Sequence, residues 1–137
     1  MNTREILKAH DVRITSHRLD VLKHLIRFNH AFSHSTLEKQ FKDKMDRVTI
    51  YRILDCFLEA NLICKIVDSN GKVSYVFDNH SRKAEKHDHP HFKCYSCESV
   101  VGLPNLPDSY LAKLSGFKID HLMVLAEGKC ENCLTDN

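Results

Sequence analysis

The fold is decided by residues 46–77, which read DRVTIYRILDCFLEANLICKIVDSNGKVSYVF. Apolar residues recur there at helical intervals, and they are Ile50, Ile53, Leu54, Phe57 and Leu58. This spacing predicts an amphipathic helix, and Asp46 stands where its N-cap is expected. The stretches 63–67 and 73–77 alternate with a period of two around Asn70-Gly71, which is typical of a β-hairpin. The segment therefore predicts a helix followed by a two-stranded hairpin.

Shorter helices are predicted ahead of this segment. One short helix opens the chain, and the next is capped by Thr15 or Ser16. Ser35 followed by Glu38 has the spacing of a capping box and predicts a third helix through about Lys42. Compact helices before a final helix and a hairpin are typical of a winged helix-turn-helix domain. In that fold the last helix enters the major groove of DNA.

The chain is predicted to contain two domains. Residues 81–88 are polar and charged without periodicity, which indicates a linker. They separate a winged-helix domain at 1–80 from a second domain at 89–137. The formal net charge of +2 is too small to indicate nucleic-acid binding by itself.

The second domain is predicted to be a small α/β unit. Strands are expected at 89–94, 100–103 and 117–127, with a short helix that begins at Pro107-Asp108 and continues to Leu114. Large apolar side chains are few for a domain of this size, so it would be marginally stable alone. We expect a metal ion, a second subunit or both to support it. The predicted fold class is α+β.

Composition predicts a cytoplasmic protein that does not enter the membrane. The hydrophobic fraction is 42%, no apolar run is long enough to cross a bilayer, and the first residues lack the apolar core of a signal peptide. In a reducing compartment, closely spaced cysteines are more often metal ligands than disulfides. Of the six cysteines, Cys56 and Cys64 have no partner at ligand spacing and are expected to be small buried apolar residues.

The other cysteines form two pairs, Cys94-x-x-Cys97 and Cys130-x-x-Cys133. Each pair lets two thiolates reach one ion, and two pairs complete a closed tetrahedral Zn²⁺ site. Such a site would clip the start of the second domain to its end and support an undersized core. The alternatives are four unrelated buried thiols and a redox Cys-x-x-Cys pair. The sequence lacks the strand-then-helix context of the redox motif.

Histidines precede the first cysteine pair. In an extended chain, His87, His89 and His91 would lie on one face at intervals of roughly 6–7 Å. His89 and His91 can hold one ion, whereas His87 is too distant and would serve a second site or none. A solvated polar linker is the alternative. For His121, predicted on the inward face of the last strand, a metal ligand and a hydrogen-bonded core residue both stay open.

The start of the predicted recognition helix carries Arg47, Thr49, Tyr51 and Arg52. Two guanidinium groups, a hydroxyl and an aromatic ring suit contacts with phosphates and base edges. An ordinary solvated helix face is the alternative that the chemistry alone leaves open.

The chain resembles the ferric uptake regulator family over nearly its whole length. The matching segments are VRIT at 12–15, RVTIYRIL at 47–54, HPHFKCYSC at 89–97, GFKID at 116–120 and EGKCENC at 127–133. The resemblance implies a homodimer that binds palindromic double-stranded operator DNA when loaded with metal and represses uptake or stress genes. The second domain would then be the dimerisation domain.

The resemblance also implies roles for particular residues. The four paired cysteines match a structural zinc site, and Thr49, Tyr51 and Arg52 lie on the DNA-reading helix. A sensing site between the two domains would use His34, Asp78, His89 and His91. A second, more variable site would involve His87 and His121.

Two positions depart from the pattern of that family. Gly102 stands where the family usually has a carboxylate, and Glu98 stands where a glycine usually follows the second cysteine. Glu98 or Asp108 could supply the missing carboxylate, or histidines could dominate the site.

The sensed metal is predicted from the types of ligand. Asp78 occupies a position where some zinc-sensing relatives have a cysteine, which favours Fe²⁺ and iron- or peroxide-dependent control. Abundant imidazole and the missing carboxylate favour Zn²⁺, while Mn²⁺ and Ni²⁺ are also compatible. We predict an iron-type repressor first and a zinc-uptake regulator as the alternative. A metal-buffering or redox protein without specific DNA binding is the contrasting class. No enzymatic activity is expected, because His-Glu-x-x-His and deaminase motifs are absent from the sequence.

Overall fold

The computed structural model describes residues 2–28, 30–78, 90–120 and 122–135. The chain divides into two compact units, Met1–Lys83 and Ala84–Asn137. The linker predicted at 81–88 lies outside the described residues. None of the helices described has the length and apolar character that a bilayer crossing requires.

The first unit contains four helices and a hairpin, which confirms the predicted order of elements. They are α1 (Thr3–Ala9), α2 (Ser16–Arg27), α3 (His34–Gln40), α4 (Arg47–Glu59), β1 (Ile63–Val67) and β2 (Val73–Phe77). Helix α4 packs against α3 and β1, and α2 packs against α1 and β2. This arrangement is a winged helix-turn-helix fold.

Side-chain caps fix where the helices begin. The Thr15 hydroxyl accepts a hydrogen bond from the Arg18 backbone N–H at 3.2 Å, so Thr15 rather than Ser16 caps α2. The Asp46 carboxylate accepts from the Thr49 N–H at 2.8 Å and caps α4, as predicted. Each cap satisfies a backbone donor that the first turn of a helix leaves without an intrahelical partner.

The predicted start of α3 is wrong. Ser33 is the N-cap, and its hydroxyl accepts from the Thr36 N–H at 3.2 Å. The capping box that was predicted from Ser35 and Glu38 does not form, and the helix ends at Gln40. Several hydroxyl-bearing residues compete for the cap in this short stretch. Ser33 takes it because its backbone is extended, as an N-cap requires.

A single apolar core holds the first unit together. The predicted face of α4 is buried at Ile50, Ile53, Leu54 and Phe57. Leu37 of α3 is fully buried against the same cluster. The buried face of α4 leaves its opposite face, which includes Val48 and Arg52, exposed to solvent.

The hairpin turns where the sequence predicts. The Asp68 carboxylate accepts hydrogen bonds from the backbone N–H groups of Asn70 and Lys72, both at 2.9 Å. Gly71 adopts φ +81°, a left-handed conformation that glycine tolerates. Ahead of α3, Phe32 pairs with Tyr75 of β2 through two backbone hydrogen bonds of 2.9 and 2.8 Å. This bridge, which has no local signal in the sequence, ties the segment before α3 to the hairpin.

The second unit is built on a three-stranded sheet. Its elements are β3 (His91–Cys94), β4 (Val100–Gly102), α5 (Asp108–Ala112), β5 (Leu125–Gly128) and α6 (Glu131–Leu134). The strand order is β4-β3-β5, with β3 antiparallel to β4 and parallel to β5. The mixed α/β composition agrees with the predicted fold class.

The long strand predicted at 117–127 is wrong, because β5 begins only at Leu125. Phe117 is 70% exposed and Met123 is 43% exposed. The alternating apolar residues of this segment, which include Phe117 and Met123, therefore do not form a face that is buried within this chain. The helix predicted as far as Leu114 ends at Ala112. His121 lies outside the described residues.

Candidate metal centres and nucleic-acid interface

Four cysteines gather at one end of the second sheet. Cys94 ends β3 and pairs in register with Gly128 of β5, so the parallel strands deliver both cysteine pairs to the same place. Cys130 and Cys133 are joined by a hydrogen bond from the Cys133 N–H to the Cys130 carbonyl at 3.0 Å. The four sulfurs, including that of Cys97, all lie within 4.8 Å of one another.

The spacing of these sulfurs fits a tetrahedral zinc ion. The Sγ atoms of Cys97 and Cys130 are 3.7 Å apart. Zn–S bonds of about 2.3 Å in a tetrahedron place neighbouring sulfurs roughly 3.8 Å apart. A disulfide would require about 2.05 Å, and all four cysteines are free thiols. The donor set and its geometry therefore match a structural zinc site of the four-thiolate type.

The thiols differ in how readily they lose a proton. The Sγ of Cys94 accepts backbone N–H groups of Cys97 at 3.5 Å and of Cys130 at 3.4 Å, and these bonds lower the pKa of Cys94 to about 6. Hydrogen bonding to Cys130 and then to Cys94 raises the pKa of Cys133 to about 12. A bound cation would favour the thiolate form of each of these ligands.

A second polar pair lies at the base of the hairpin. The Cys64 thiol donates a hydrogen bond to the Asp78 carboxylate with Sγ and Oδ2 2.8 Å apart. Asp78 is held there because its N–H donates to the Leu62 carbonyl at 3.0 Å. Cys64 is half-buried rather than a fully buried apolar residue. The pair brings together one sulfur donor and one carboxylate donor that could hold a metal ion.

Cys64 was not predicted as a ligand, because Asp78 is 14 positions away along the chain. The register of the hairpin supplies the missing signal. With Asn70-Gly71 as the turn, Cys64 pairs with Val76 in the hairpin. Asp78 is then a diagonal neighbour of Cys64, within reach of its side chain.

The structure places His34 at the start of α3, against the recognition helix α4. Its ring stacks on the ring of Tyr51 with centroids 3.4 Å apart and planes inclined by 25°. Its Nδ1 lies 3.5 Å from the Glu38 carboxylate. Among the described residues, no group of three metal-ligating side chains includes His34.

The other predicted histidine ligands are placed only in part. His91 begins β3, is buried, and pairs with Gly102 of β4 and with Leu125 of β5. Gly102 therefore neighbours a predicted ligand without offering a side chain of its own. His87 and His89 lie outside the described residues.

The exposed start of α4 carries the predicted DNA-contacting residues. The Arg47 side chain is 70% exposed and Tyr51 is 40% exposed. Arg52 is exposed, whereas Thr49 is half-buried beside the Asp46 cap. The Arg47 guanidinium lies over the Tyr51 ring at 5.5 Å and pairs with Glu38 at 3.2 Å. Positive side chains here add to the positive end of the helix dipole.

The fold and these clusters define a class of protein. It is a winged helix-turn-helix protein with a second, α/β unit that carries a four-cysteine cluster. Both the first unit and the second unit contain side chains suited to metal ligation.

Comparison with known proteins gives the family. The model of the ferric uptake regulator family matches residues 9–124. The chain is 27% identical to the zinc uptake regulation protein of Escherichia coli (strain K12), over 95% of this chain and 78% of that protein. It is also 27% identical to the ferric uptake regulation protein of Yersinia pestis, over 95% of this chain and 90% of that protein. The chain belongs to the ferric uptake regulator family.

Solved structures give the same result for the fold. A zinc uptake regulator complexed with zinc and DNA matches with a TM-score of 0.72 and 27% identity, over 96% of this chain and 89% of that one. The ferric uptake regulator of Vibrio cholerae matches with a TM-score of 0.60 at 20% identity, over 94% of this chain and all of that one. Zinc-type and iron-type relatives are both similar to this chain.

Proposed function

We propose that this protein is a metal-responsive transcriptional repressor that binds double-stranded operator DNA as a homodimer. The observation that carries the proposal is the division of α4 into two faces. Ile50, Ile53 and Phe57 anchor one face in the core, while Arg47 and Arg52 lie exposed on the part of the helix that a winged-helix fold presents to DNA. A similar zinc uptake regulator has been solved in complex with zinc and DNA.

The DNA contacts divide by chemistry. Arg47 and Arg52 suit phosphates or guanine edges, and the Tyr51 ring suits the methyl group of thymine. Thr49 would act near the backbone of the duplex, because it is half-buried beside the cap of α4.

Dimerisation is proposed for the second unit. Phe117 is 70% exposed, while Tyr95 and Leu134 are each 66% exposed. A small unit with so many exposed large apolar side chains is expected to bury them against another surface. A second copy of this chain offers the same surface and satisfies both subunits at once.

The four-cysteine cluster is proposed to hold a structural Zn²⁺ ion. When bound, the ion joins the end of β3 to the start of α6 and thereby closes the second unit. Four thiolates saturate zinc and leave no position for a reactive water, which supports a role without enzymatic activity. Thiols remain reduced in the cytoplasm, and we propose that location for the protein.

We propose Zn²⁺ as the sensed metal, with Cys64 and Asp78 among its ligands. Asp78 in place of a cysteine favours iron, but the Cys64 thiol lies 2.8 Å from that carboxylate and restores a sulfur donor. A thiolate with imidazoles suits zinc better than a set of oxygens does. His89 and His91 remain the predicted imidazole ligands. Fe²⁺ is the second candidate, because ferric uptake regulation proteins are as similar to this chain as the zinc-type relative.

The test begins by selecting a duplex from a random pool with the full-length, zinc-loaded protein. The affinity for that duplex is then measured at fixed ionic strength after chelation and after titration with Zn²⁺, Fe²⁺, Mn²⁺ or Ni²⁺, because salt alone changes such affinities. Tightening at the lowest free concentration of Zn²⁺ would support the proposal. Tightening with Fe²⁺ instead would identify an iron sensor. Equal affinity with and without metal would overturn metal-responsive repression.

A further inference from the structure

Four side chains link α3 to the exposed start of α4, and we call them the α3–α4 quartet: His34, Glu38, Arg47 and Tyr51. Glu38 Oε1 lies 3.5 Å from His34 Nδ1 and 3.2 Å from Arg47 Nε. Arg47 Nη2 donates to the Tyr51 hydroxyl at 3.5 Å, and the His34 ring stacks on the Tyr51 ring at 3.4 Å. The contacts therefore form a closed ring around four side chains.

The quartet has an inner pair and an outer pair. His34 is the more enclosed, with a side chain 13% exposed, and the Glu38 side chain is 31% exposed. The Arg47 side chain is 70% exposed. Arg47 and Tyr51 are thus presented to solvent, while their partners on α3 stand behind them.

This arrangement orders side chains that would otherwise be mobile. An exposed arginine samples many rotamers, and fixing them on binding costs conformational entropy. Glu38 and the Tyr51 ring restrict Arg47 from two sides before any ligand arrives. His34 restricts Tyr51 through stacking. Part of the conformational entropy of Arg47 and Tyr51 is therefore already lost on folding and need not be lost when DNA binds.

The chemistry of His34 suits a stacking role. Its side chain is largely enclosed, and its ring lies within 25° of the plane of the Tyr51 ring. In the part of the chain that the structure describes, the buried Nε2 of His34 has no hydrogen-bond partner. Its contact with Tyr51 is the stacking of the two ring faces.

We propose that His34 and Glu38 are positioning residues for DNA recognition, which hold Arg47 and Tyr51 in the conformation that reads the duplex. This inference rests on the proposed function, because it assumes that α4 contacts DNA. His34 then acts through the recognition helix rather than as a ligand of the sensed metal. Glu38, although negatively charged, strengthens specific binding by orienting Arg47.

The experiment uses full-length, zinc-loaded protein and the selected duplex, with a scrambled duplex of equal length as the reference. The variants are His34→Ala, His34→Phe and Glu38→Gln, and Glu59→Gln, at the far end of α4, is the matched control. Phenylalanine can keep the stacking on Tyr51 but cannot bind metal. The readouts are the ratio of specific to non-specific affinity and the free Zn²⁺ at half-maximal binding.

We expect His34→Ala and Glu38→Gln to lower the specificity ratio about tenfold, the scale of one side chain–base contact. His34→Phe should stay close to wild type, and none of the variants should change the Zn²⁺ midpoint. Equal rises of the Zn²⁺ midpoint in His34→Ala and His34→Phe would show a ligand and overturn the proposal. Tighter specific binding by Glu38→Gln would overturn it as well, because Glu38 would then compete with DNA for Arg47.

Failure of the proposed function gives a different result. In that case the wild-type protein itself binds selected and scrambled duplexes equally. Thermal unfolding of each variant checks that the first unit is folded. If His34→Ala does not fold, His34→Phe still tests for a metal ligand and Glu38→Gln still tests the positioning of Arg47.

Discussion

The thiol of Cys64 and the carboxylate of Asp78 are joined by a hydrogen bond of 2.8 Å at the base of the hairpin. If this pair binds the sensed ion, Cys64→Ser removes the sulfur donor while a hydroxyl keeps the approximate size of the side chain. We expect the free Zn²⁺ needed for DNA binding to rise by at least about tenfold, because zinc prefers thiolate to a neutral hydroxyl. Fluorescence anisotropy with the selected duplex measures this shift.

Cys56→Ser is the matched control, because Cys56, like Cys64, is a half-buried cysteine of the first unit. It should leave the Zn²⁺ midpoint unchanged. If both serine variants have the same Zn²⁺ midpoint for DNA binding, Cys64 is not a ligand of the sensed ion.

The four-cysteine cluster predicts a dependence of the second unit on zinc. Cys133→Ser breaks the tetrahedral set, and the unit has few buried apolar residues to compensate. We expect the zinc content to fall by about one ion per chain and the oligomer to dissociate, since structural zinc contributes directly to folding. Metal analysis and light scattering of protein purified under reducing conditions measure both effects. Ser96→Ala, between the first two cysteines, should keep the zinc and the oligomer.

The core of the first unit predicts a stability effect that is independent of metal. Leu37 of α3 is fully buried, so Leu37→Ala leaves a cavity. We expect a loss of about 2–5 kcal/mol in the free energy of unfolding of this unit. Denaturant unfolding followed by circular dichroism measures it, with the exposed Lys39→Ala as control. A loss below about 1 kcal/mol would mean that the site collapses around the smaller side chain.

Local signals were enough to predict the first unit and the cysteine cluster. The spacing of Ile50, Ile53 and Phe57 reports burial directly, and Asp46 caps the same helix through a contact three residues away. The cysteine pairs are visible because each one is local in sequence. The structure then supplies the strand pairing of β3 with β5 that joins them.

The errors arose where the outcome depends on distant residues. Ser33 rather than Ser35 caps α3 in a stretch where the chain also pairs with β2, and this pairing is not visible in the local sequence. The alternation of Phe117 with Met123 resembles a strand, yet neither side chain is buried within the chain. Cys64 meets Asp78 only through the register of the hairpin.

The cap of the recognition helix predicts a pH effect. Hydrogen bonds from the Thr49 hydroxyl and then from its backbone N–H lower the pKa of Asp46 below the ordinary 3.8. The stability that the carboxylate contributes is therefore fully present above pH 3.8 and is lost as pH falls through the lower pKa of the folded protein.

Asp46→Asn removes the negative charge but keeps the N-cap, because asparagine also caps helices well. We expect wild type to be the more stable at pH 7 and the difference to shrink from pH 3.8 downward, until it disappears below the lower pKa of Asp46 in the folded protein. Denaturant unfolding at a series of pH values measures it. Parallel stability profiles for the two proteins would contradict a lowered pKa for Asp46.

Glu98 adopts φ +63° directly after the first cysteine pair, and its N–H donates to the Cys94 carbonyl at 2.9 Å. The ferric uptake regulator pattern has glycine at this position, and the left-handed conformation explains that preference. A left-handed backbone costs a residue with a Cβ about 1–2 kcal/mol, and the greater freedom of glycine in the unfolded chain offsets about half of this.

Glu98→Gly should therefore stabilise the zinc-loaded second unit by about 0.5–1 kcal/mol. Glu98→Ala is the matched control, because it removes the carboxylate but keeps the Cβ and the strain. We expect only the glycine variant to raise the denaturant midpoint. If alanine raises it equally, the gain comes from the loss of the charge near the thiolate cluster, and the backbone at residue 98 is not strained.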